Sequence, residues 1–184
     1  RLLSLGGDHS VTLPILRAYG GAFPDLTVVQ LDAHADLYDS FEGDRFSHAC
    51  PFARIMEEGL AARLVQLGVR TLSGEQAAMG DRFGVETHCM IDGEPTMPSL
   101  NGPVYLSLDL DVLDPAFAPG VSHHEPGGLS TRAVLRLLDG LRGRLVGADI
   151  VELNPERDIQ GVTAMVAAKL AREILAMLIA SDDA

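Results

Sequence analysis

Cysteines, basic residues and long apolar runs are scarce in this sequence of 184 residues, and each scarcity argues against certain classes of function. Cys50 and Cys89 cannot form a disulfide framework and stand in no metal-binding spacing, which favours a reducing, cytoplasmic location. The 14 basic residues are outnumbered by 26 acidic ones, and the net charge of −12 argues against nucleic acid or an anionic membrane as a partner. The most apolar stretch, 161–180, is interrupted by three charged residues, so it predicts an amphipathic helix rather than a membrane span.

The length and the 47% hydrophobic content predict a single domain over residues 1–184. The chain begins at Arg1, without a methionine, and runs directly into the apolar residues Leu2–Leu5. We interpret this beginning as the middle of a strand, and we therefore expect a fragment that lacks an N-terminal portion.

Short apolar runs alternate with longer helical patterns, which predicts an α/β fold around a mostly parallel sheet. Strands are predicted at Leu2–Leu5, Leu26–Leu31, Leu64–Leu67, Val104–Leu108 and Leu145–Val151. Helices are predicted at Thr12–Tyr19, Phe52–Glu58, Gly74–Phe83, Thr131–Leu141 and Thr163–Ala180. Ser130 is the expected N-cap of the fourth helix, which we expect to end near Gly140 or Gly143. The pattern is weak over 83–102, and 114–128 is a long irregular loop, a length typical of functional or mobile loops.

Acidic residues and histidines follow the predicted strands directly. The first strand is followed by His9, the second by Asp32, His34 and Asp36, the fourth by Asp109 and Asp111, and the fifth by Glu152. Ligands of an open α/β sheet gather beyond the carboxyl ends of its strands, so we expect these side chains to meet at one edge. A spacing of two also keeps side chains on the same side of an extended chain.

Carboxylates crowded at one edge repel one another unless cations lie among them. Four aspartates and two histidines are a fair coordination set for two divalent ions. Carboxylates with a minority of imidazoles and no thiolate favour Mn²⁺ over a structural zinc ion, although iron, cobalt or nickel stay open. Two ions about 3.5–4 Å apart lower the pKa of a shared water enough to give hydroxide near neutral pH. Each motif alone is more often a turn or a helix cap, but together they indicate metal-assisted hydrolysis.

Four segments resemble the ureohydrolase signatures of arginases and agmatinases. They are GGDHS at 6–10, DAHAD at 32–36, SLDLDVLDP at 107–115 and ELNP at 152–155. Segments 41–56 and 114–128 are similar to the plant-type branch of that family. The resemblance covers nearly the whole chain and implies a three-layer α/β/α sandwich around a parallel sheet. It also implies that the chain forms about the C-terminal two-thirds of the family domain, and that the protein is a homo-oligomer, a trimer or hexamer.

The resemblance implies two Mn²⁺ ions per subunit, with two bridging aspartates. One ion is expected at His9, Asp32, Asp36 and Asp109, and the other at Asp32, His34, Asp109 and Asp111. Glu152 matches the position that pairs with the guanidinium, and His48 matches the proton-shuttling histidine. The implied reaction is attack of a metal-bridging hydroxide on the guanidino carbon of agmatine or arginine. Its products are urea and the amine, putrescine or ornithine.

The loop over 114–128 departs from the commoner members, which carry Gly-Thr-Gly-Thr-Pro there. In the family this loop lies along the substrate, so Ser122 and His123 are implied to touch it. Leu37-Tyr38-Asp39 replace the polar residues that read the amino-acid end of the substrate in animal arginases, which leaves substrate choice open. Arg45 is a candidate donor for a substrate carboxylate.

Four other polar residues have structural interpretations. Asp8 either supports the metal site by a hydrogen bond or caps the next helix, with neither alternative preferred. Asp114 is expected to shape its loop, His88 to be an ordinary surface histidine, and Cys50 to be a packed thiol.

Other functions stay open beside the amidinohydrolase. The substrate could be another guanidino compound. A single-metal deacetylase of related fold is a second alternative, for which the pair His123-His124 is a superficial similarity. A non-catalytic relative or an inactive fragment is the third.

Overall fold

Parallel strands from both halves of the chain form the central sheet. The computed structural model describes residues 1–19, 21–141 and 144–180. The strands are β1 (Leu2–Leu5), β2 (Thr27–Leu31), β3 (Arg63–Val69), β4 (Glu86–Cys89), β5 (Val104–Asp109) and β6 (Leu145–Val151). Among the described residues they pair in parallel in the order β1-β6-β5-β2-β3-β4. The predicted α/β fold with a parallel sheet is therefore confirmed.

Helices cover both faces of this sheet. They are α1 (Thr12–Tyr19), α2 (Pro51–Glu57), α3 (Gly74–Phe83), α4 (Thr131–Asp139) and α5 (Val162–Ala180). Apolar residues of α4 and α5 pack with one set of strand side chains, and those of α1 and α2 pack with the opposite set. Successive strand residues point to opposite faces, as Val28 and Val29 do, so each strand supplies both cores. Over the residues described, no helix combines the length and apolarity that a membrane crossing requires.

The predicted elements all agree with the structure to within two residues at their ends; the largest differences are at β3, which extends two residues further to Val69, and at α4, which ends two residues earlier at Asp139. Ser130 caps α4 as expected, because its hydroxyl accepts a hydrogen bond from the backbone N–H of Ala133 at 3.1 Å. Helix α4 ends at Asp139, two residues before the predicted Leu141, and the N–H of Gly140 donates to Leu137 O in the last turn. Gly143, the alternative end, lies outside the described residues.

Strand β4 was missed because it falls in the stretch 83–102, where the pattern is weak. All four of its residues are only partly buried, since β4 lies at the edge of the sheet and, within the described part of the chain, pairs with β3 alone. An edge strand with polar residues such as Thr87 lacks the continuous apolar run by which the buried strands were recognised.

The order in which the chain adds strands to the sheet reverses between the neighbouring strands β2 and β5. After β2 it proceeds to β3 and β4 on one side, and after β5 it proceeds to β6 on the other. In the pairing register, Leu31 lies beside Leu108, and Asp109 lies beside Val151. The segments that follow β2, β5 and β6 therefore leave the sheet next to one another, at the switch point where open α/β sheets bind ligands.

Candidate metal centre

Three other predicted ligands converge around the ring of His9. Its Nδ1 lies 3.1 Å from Asp32 Oδ2, 3.1 Å from Asp36 Oδ2 and 3.3 Å from Asp109 Oδ2. The His9 side chain is 1% exposed, and the three carboxylates are buried as well. Despite these neighbours, Nδ1 forms no hydrogen bond of normal geometry with any residue that the structure describes. A buried ring nitrogen without a hydrogen bond, facing three carboxylate oxygens, fits a divalent ion between them.

A second group of ligand atoms lies on the other side of Asp32. Asp32 Oδ1 is 3.5 Å from His34 Nδ1, which is 3.0 Å from Asp111 Oδ2. Asp32 therefore presents one oxygen to each group, the geometry of a bridging carboxylate. Asp109 belongs to the first group, and its role as a second bridge stays a prediction. All six predicted ligands are brought together, while their binding of ions stays a prediction.

Backbone hydrogen bonds explain the spacing of two between neighbouring ligands. Asp32 Oδ1 accepts from the N–H of His34 at 2.6 Å, and Asp109 Oδ1 accepts from the N–H of Asp111 at 2.7 Å. Asp111 Oδ1 then accepts from the N–H of Ala33 at 3.0 Å, which ties the end of β5 to the end of β2. Aspartate side chains form such local bonds readily. Asp32 and Asp109 thus each hold the next ligand along the chain in place.

Burial and crowding change the proton affinity of the cluster. Burial raises the pKa of Asp109 well above its usual value, and the nearby Asp111 and Asp32 raise it further. Burial and Asp32 raise the pKa of Asp36 to about 6. Burial alone would lower the pKa of His34, but hydrogen bonds to Asp111 and Asp32 raise it to about 11. Divalent ions would compete with protons for the same oxygen and nitrogen atoms.

Two residues of the site have left-handed backbone conformations, which are uncommon outside glycine. The φ angle is 49° at Asp36 and 66° at Glu152. Glu152 Oε1 accepts from the N–H of His9 at 2.9 Å, and the N–H of Glu152 donates to Gly7 O at 2.9 Å. Burial raises the pKa of the Glu152 carboxyl. Backbone strain of this kind persists where the surroundings impose it, and it clusters at functional sites.

A cavity of about 190 Å³ opens beside the second ligand group. Its lining includes His34, Asp36, His48 and His123, together with aromatic residues of the loop after β2. The rings of His48 and His123 stack with centroids 5.3 Å apart and planes 13° apart. Ser122 and Glu152 are not among the described residues that line it. The substrate roles of these two residues, and those of His48 and His123, stay predictions.

Ser122 and Arg45 make other contacts. The Ser122 hydroxyl accepts from Asn154 Nδ2 at 3.0 Å. The guanidinium of Arg45 pairs with Asp39 and Glu57, and Arg45 is not part of the cavity lining. Its role as a donor to a substrate carboxylate stays a prediction.

The structural interpretations of the remaining polar residues are confirmed. Asp8 Oδ1 accepts from the N–H of Ser10 at 3.0 Å, which is the helix-cap alternative. Asp114 Oδ2 accepts from the N–H groups of Gly127 and Gly128 and so closes the loop 114–128. Cys50 is fully buried, and burial raises the pKa of its thiol. The partly exposed His88 lies on β4, away from the cavity, and pairs with Glu86 at 2.9 Å.

Arg70 was missed from the sequence, although it joins the loop 114–128 to the metal centre. Its Nε and Nη2 donate to the carbonyl of Glu125 at 2.8 and 2.7 Å, and Nη2 also donates to the carbonyl of Asp111 at 2.6 Å. An isolated arginine after a strand carries no signal for such contacts, because its partners are backbone carbonyls of distant segments.

Arg70→Lys is expected to lower the free energy of unfolding by about 1–3 kcal/mol, because one ammonium cannot replace the planar fork and leaves carbonyls unpaired. Chemical denaturation measures this change. Arg63→Lys, at an exposed pair with Glu86, is the matched control and should cost less than about 1 kcal/mol. Equal losses in the two variants would contradict the role of Arg70.

Comparison with known proteins identifies the family. The arginase family model matches residues 1–177. Arginase 1 of Arabidopsis thaliana, named as mitochondrial, is 51% identical over 97% of this chain and 55% of its own length. The guanidinopropionase of Pseudomonas aeruginosa is 43% identical over 96% of this chain and 60% of its own length.

Two solved structures have the same fold. The arginase of Medicago truncatula superposes with a TM-score of 0.87 at 47% identity, over 96% of this chain and 59% of that one. A triple mutant of a T. brucei arginase-like protein, bound with Mn²⁺, has a TM-score of 0.83 at 31% identity, over 96% of this chain and 61% of that one.

The chain belongs to the arginase family, as the resemblance of its motifs implied. It spans about 55% of the length of the Arabidopsis relative that it matches. The arginase-like α/β fold is confirmed by the same comparisons.

Proposed function

We propose that the protein is an amidinohydrolase with two Mn²⁺ ions, which cleaves a guanidino C–N bond of agmatine or arginine. The products are urea and the corresponding amine, putrescine or ornithine. The observation that carries this proposal is the pair of ligand groups that share Asp32, one with His9 and one with His34. A shared carboxylate between two ligand groups supports a pair of ions rather than one.

The T. brucei protein supports manganese at these positions. In its Mn²⁺-bound triple mutant, aspartate, histidine and aspartate replace serine, arginine and serine. The three replaced positions have the same separations along the chain as Asp32, His34 and Asp109. The residue types that occur here therefore match those that were introduced in a protein bound with Mn²⁺.

Different residues of the site meet different requirements of the reaction. A guanidinium is planar and permanently protonated, so attack at its carbon needs a strong nucleophile, a negative partner and a proton for the departing amine. When bound, a pair of divalent ions lowers the pKa of water and supplies hydroxide near neutral pH. Glu152, fixed by the N–H of His9, pairs with the substrate cation. His48, in the cavity wall, delivers the proton to the departing amine.

The residues of the site indicate a guanidino group at one end of the substrate, but they indicate less about the chemistry of its other end. The described residues that line the cavity include histidines but no arginine or lysine. The cavity therefore does not single out a substrate with a carboxylate. Since one relative is named an arginase and another a guanidinopropionase, another guanidino compound stays a candidate beside agmatine and arginine.

Urea release by the 184-residue chain, loaded with Mn²⁺, tests the proposal. Arginine, agmatine and 3-guanidinopropionate are supplied in turn, and bound manganese is measured in parallel. We expect urea and an equal amount of amine from at least one compound, with two ions per chain. One ion per chain with hydrolysis of an acetylated amine would favour the deacetylase alternative. Two bound ions without urea from any compound would indicate an inactive fragment.

Location and assembly stay predictions. Both cysteines are free, which supports a reducing compartment such as the cytoplasm. We further propose a homo-oligomer, a trimer or hexamer, which a measurement of molar mass in solution would test.

A further inference from the structure

Three hydroxyl groups surround a buried carboxylate beneath the metal centre. Asp149 lies on β6 with 0% of its surface exposed. Its Oδ2 accepts from Tyr105 Oη at 2.8 Å and from Thr12 Oγ1 at 3.0 Å, and its Oδ1 accepts from Ser107 Oγ at 2.7 Å. A charged residue in the middle of a buried strand needs such partners, because its unpaired burial is costly.

Ser107 connects this carboxylate to His9. Ser107 Oγ lies 2.9 Å from His9 Nε2. A serine hydroxyl has one hydrogen to donate. Ser107 donates it to Asp149, since Asp149 Oδ1 is 2.7 Å away and the other hydroxyl nearby, Thr12 Oγ1, is 3.4 Å away. Ser107 must then accept from His9, which places the proton of a neutral His9 ring on Nε2.

The location of that proton decides whether His9 can bind an ion. Nδ1 is the nitrogen that faces Asp32, Asp36 and Asp109. A neutral imidazole binds a metal through the nitrogen that carries no proton. The direction of the hydrogen bonds from His9 through Ser107 to Asp149 therefore leaves Nδ1 free to act as a ligand.

We propose that Asp149 is a positioning residue, which acts through Ser107 to hold His9 in the tautomer that binds a metal ion. This inference rests on the proposed metal centre. The hydrogen bonds described for Asp149 come from Thr12, Tyr105 and Ser107 and not from a predicted ligand, and Asp149 was not singled out in the sequence. Partners that orient a metal-bound histidine typically change metal affinity or activity by about 10- to 100-fold when removed.

Asp149→Leu tests the proposal in the 184-residue chain. Leucine has a similar size but accepts no hydrogen bond, so the Ser107 hydroxyl becomes free to donate to His9 Nε2. The proton of a neutral His9 ring then lies on Nδ1. We expect the affinity for one Mn²⁺ ion to fall about 10- to 100-fold while the other ion, at the His34 group, binds with little change. Calorimetric titration with Mn²⁺, together with metal analysis, measures both affinities.

Conservative variants separate this role from simple support of the core. Asp149→Asn keeps a carbonyl oxygen for Ser107, and its amide can donate to the hydroxyls of Tyr105 and Thr12. We therefore expect this variant to keep most of the Mn²⁺ affinity that Asp149→Leu loses. Tyr105→Phe removes one donor to Asp149 and leaves the bond with Ser107 intact, so both ions should bind as in the unmodified chain.

Ser107→Ala keeps the proposal testable if Asp149→Leu does not fold. Alanine removes the acceptor of the His9 proton, so this variant should weaken the same single ion. Where Asp149→Leu does fold, adding it to Ser107→Ala should weaken the binding of this ion no further, since residues that act through one contact are not additive.

Two results would overturn the inference. One is an unchanged affinity for both ions in Asp149→Leu, or in Ser107→Ala where the first does not fold. The other is a loss in Tyr105→Phe as large as in these variants, which would indicate general support of the core. An unmodified chain that binds no manganese would instead overturn the proposed metal centre itself, and the inference with it.

Discussion

Asp32→Asn is expected to empty both halves of the metal centre and to reduce urea release to background. The physical reason is that the two oxygens of Asp32 face different ligand groups, one toward His9 and one toward His34. An asparagine keeps the size of the side chain but removes its charge and replaces one oxygen with an amide nitrogen, which is not a ligand for Mn²⁺. Metal analysis and the urea assay measure the two losses.

Thermal unfolding gives an independent measure of the same change. An ion that binds only the folded chain stabilises it by about 2.7 kcal/mol at a hundredfold excess over Kd, so Mn²⁺ should raise the melting temperature of the unmodified chain. Asp32→Asn should show no such rise. Asp25→Asn is the matched control, because Asp25 is exposed just before the start of β2 and should leave metal content unchanged. Two ions retained in Asp32→Asn would refute the shared-carboxylate geometry.

His48→Asn is expected to lower kcat by about 10²- to 10⁴-fold, the usual contribution of a positioned acid or base. His48 lies in the cavity wall and stacks on His123, but it belongs to neither ligand group. The variant should therefore keep both ions and its thermal response to Mn²⁺. Steady-state kinetics over a range of pH values, with metal analysis, distinguish lost proton transfer from lost metal.

The control for this variant is His88→Asn, which replaces a histidine on the edge strand β4. It should leave kcat and the pH dependence unchanged. A kcat in His48→Asn within a few-fold of the unmodified chain would remove His48 from the proposed reaction. A loss of bound manganese would give it a role in metal binding instead.

Local signals in the sequence account for the strands that form the centre of the sheet. Strands β2 and β5 are buried on both faces, so they read as mostly apolar runs in spite of Gln30 and Ser107, and their acidic ligands stand at or directly after the strand ends. Strands β1 and β4 both lie at edges of the sheet, each with one neighbour among the described strands, and neither is fully buried. Strand β1 was nevertheless predicted, because Leu2–Leu5 is mostly apolar, whereas Glu86–Cys89 is not. The apolar run is therefore the signal, whatever the place of the strand in the sheet.

The candidate ligands were predictable for a related reason. The carboxyl ends of parallel strands meet at one edge, so residues that follow different strands converge without any knowledge of side-chain positions. The direction in which Ser122 and Arg45 point was not predictable, because it depends on contacts with Asn154, Asp39 and Glu57. Contacts between distant segments leave no local pattern.

The order of residues along the chain was sufficient to determine the α/β class, the edge where the acids and histidines gather, and their suitability for divalent ions. Only the tertiary structure decided which oxygen of Asp32 faces which histidine, that Arg70 ties the loop 114–128 to Asp111, and that Asp149 reaches His9 through Ser107. The physical reason is the separation along the chain of the residues that determine each property. Periodicity and strand ends are local properties of the sequence, whereas hydrogen-bond direction depends on atoms from several segments meeting within about 3 Å.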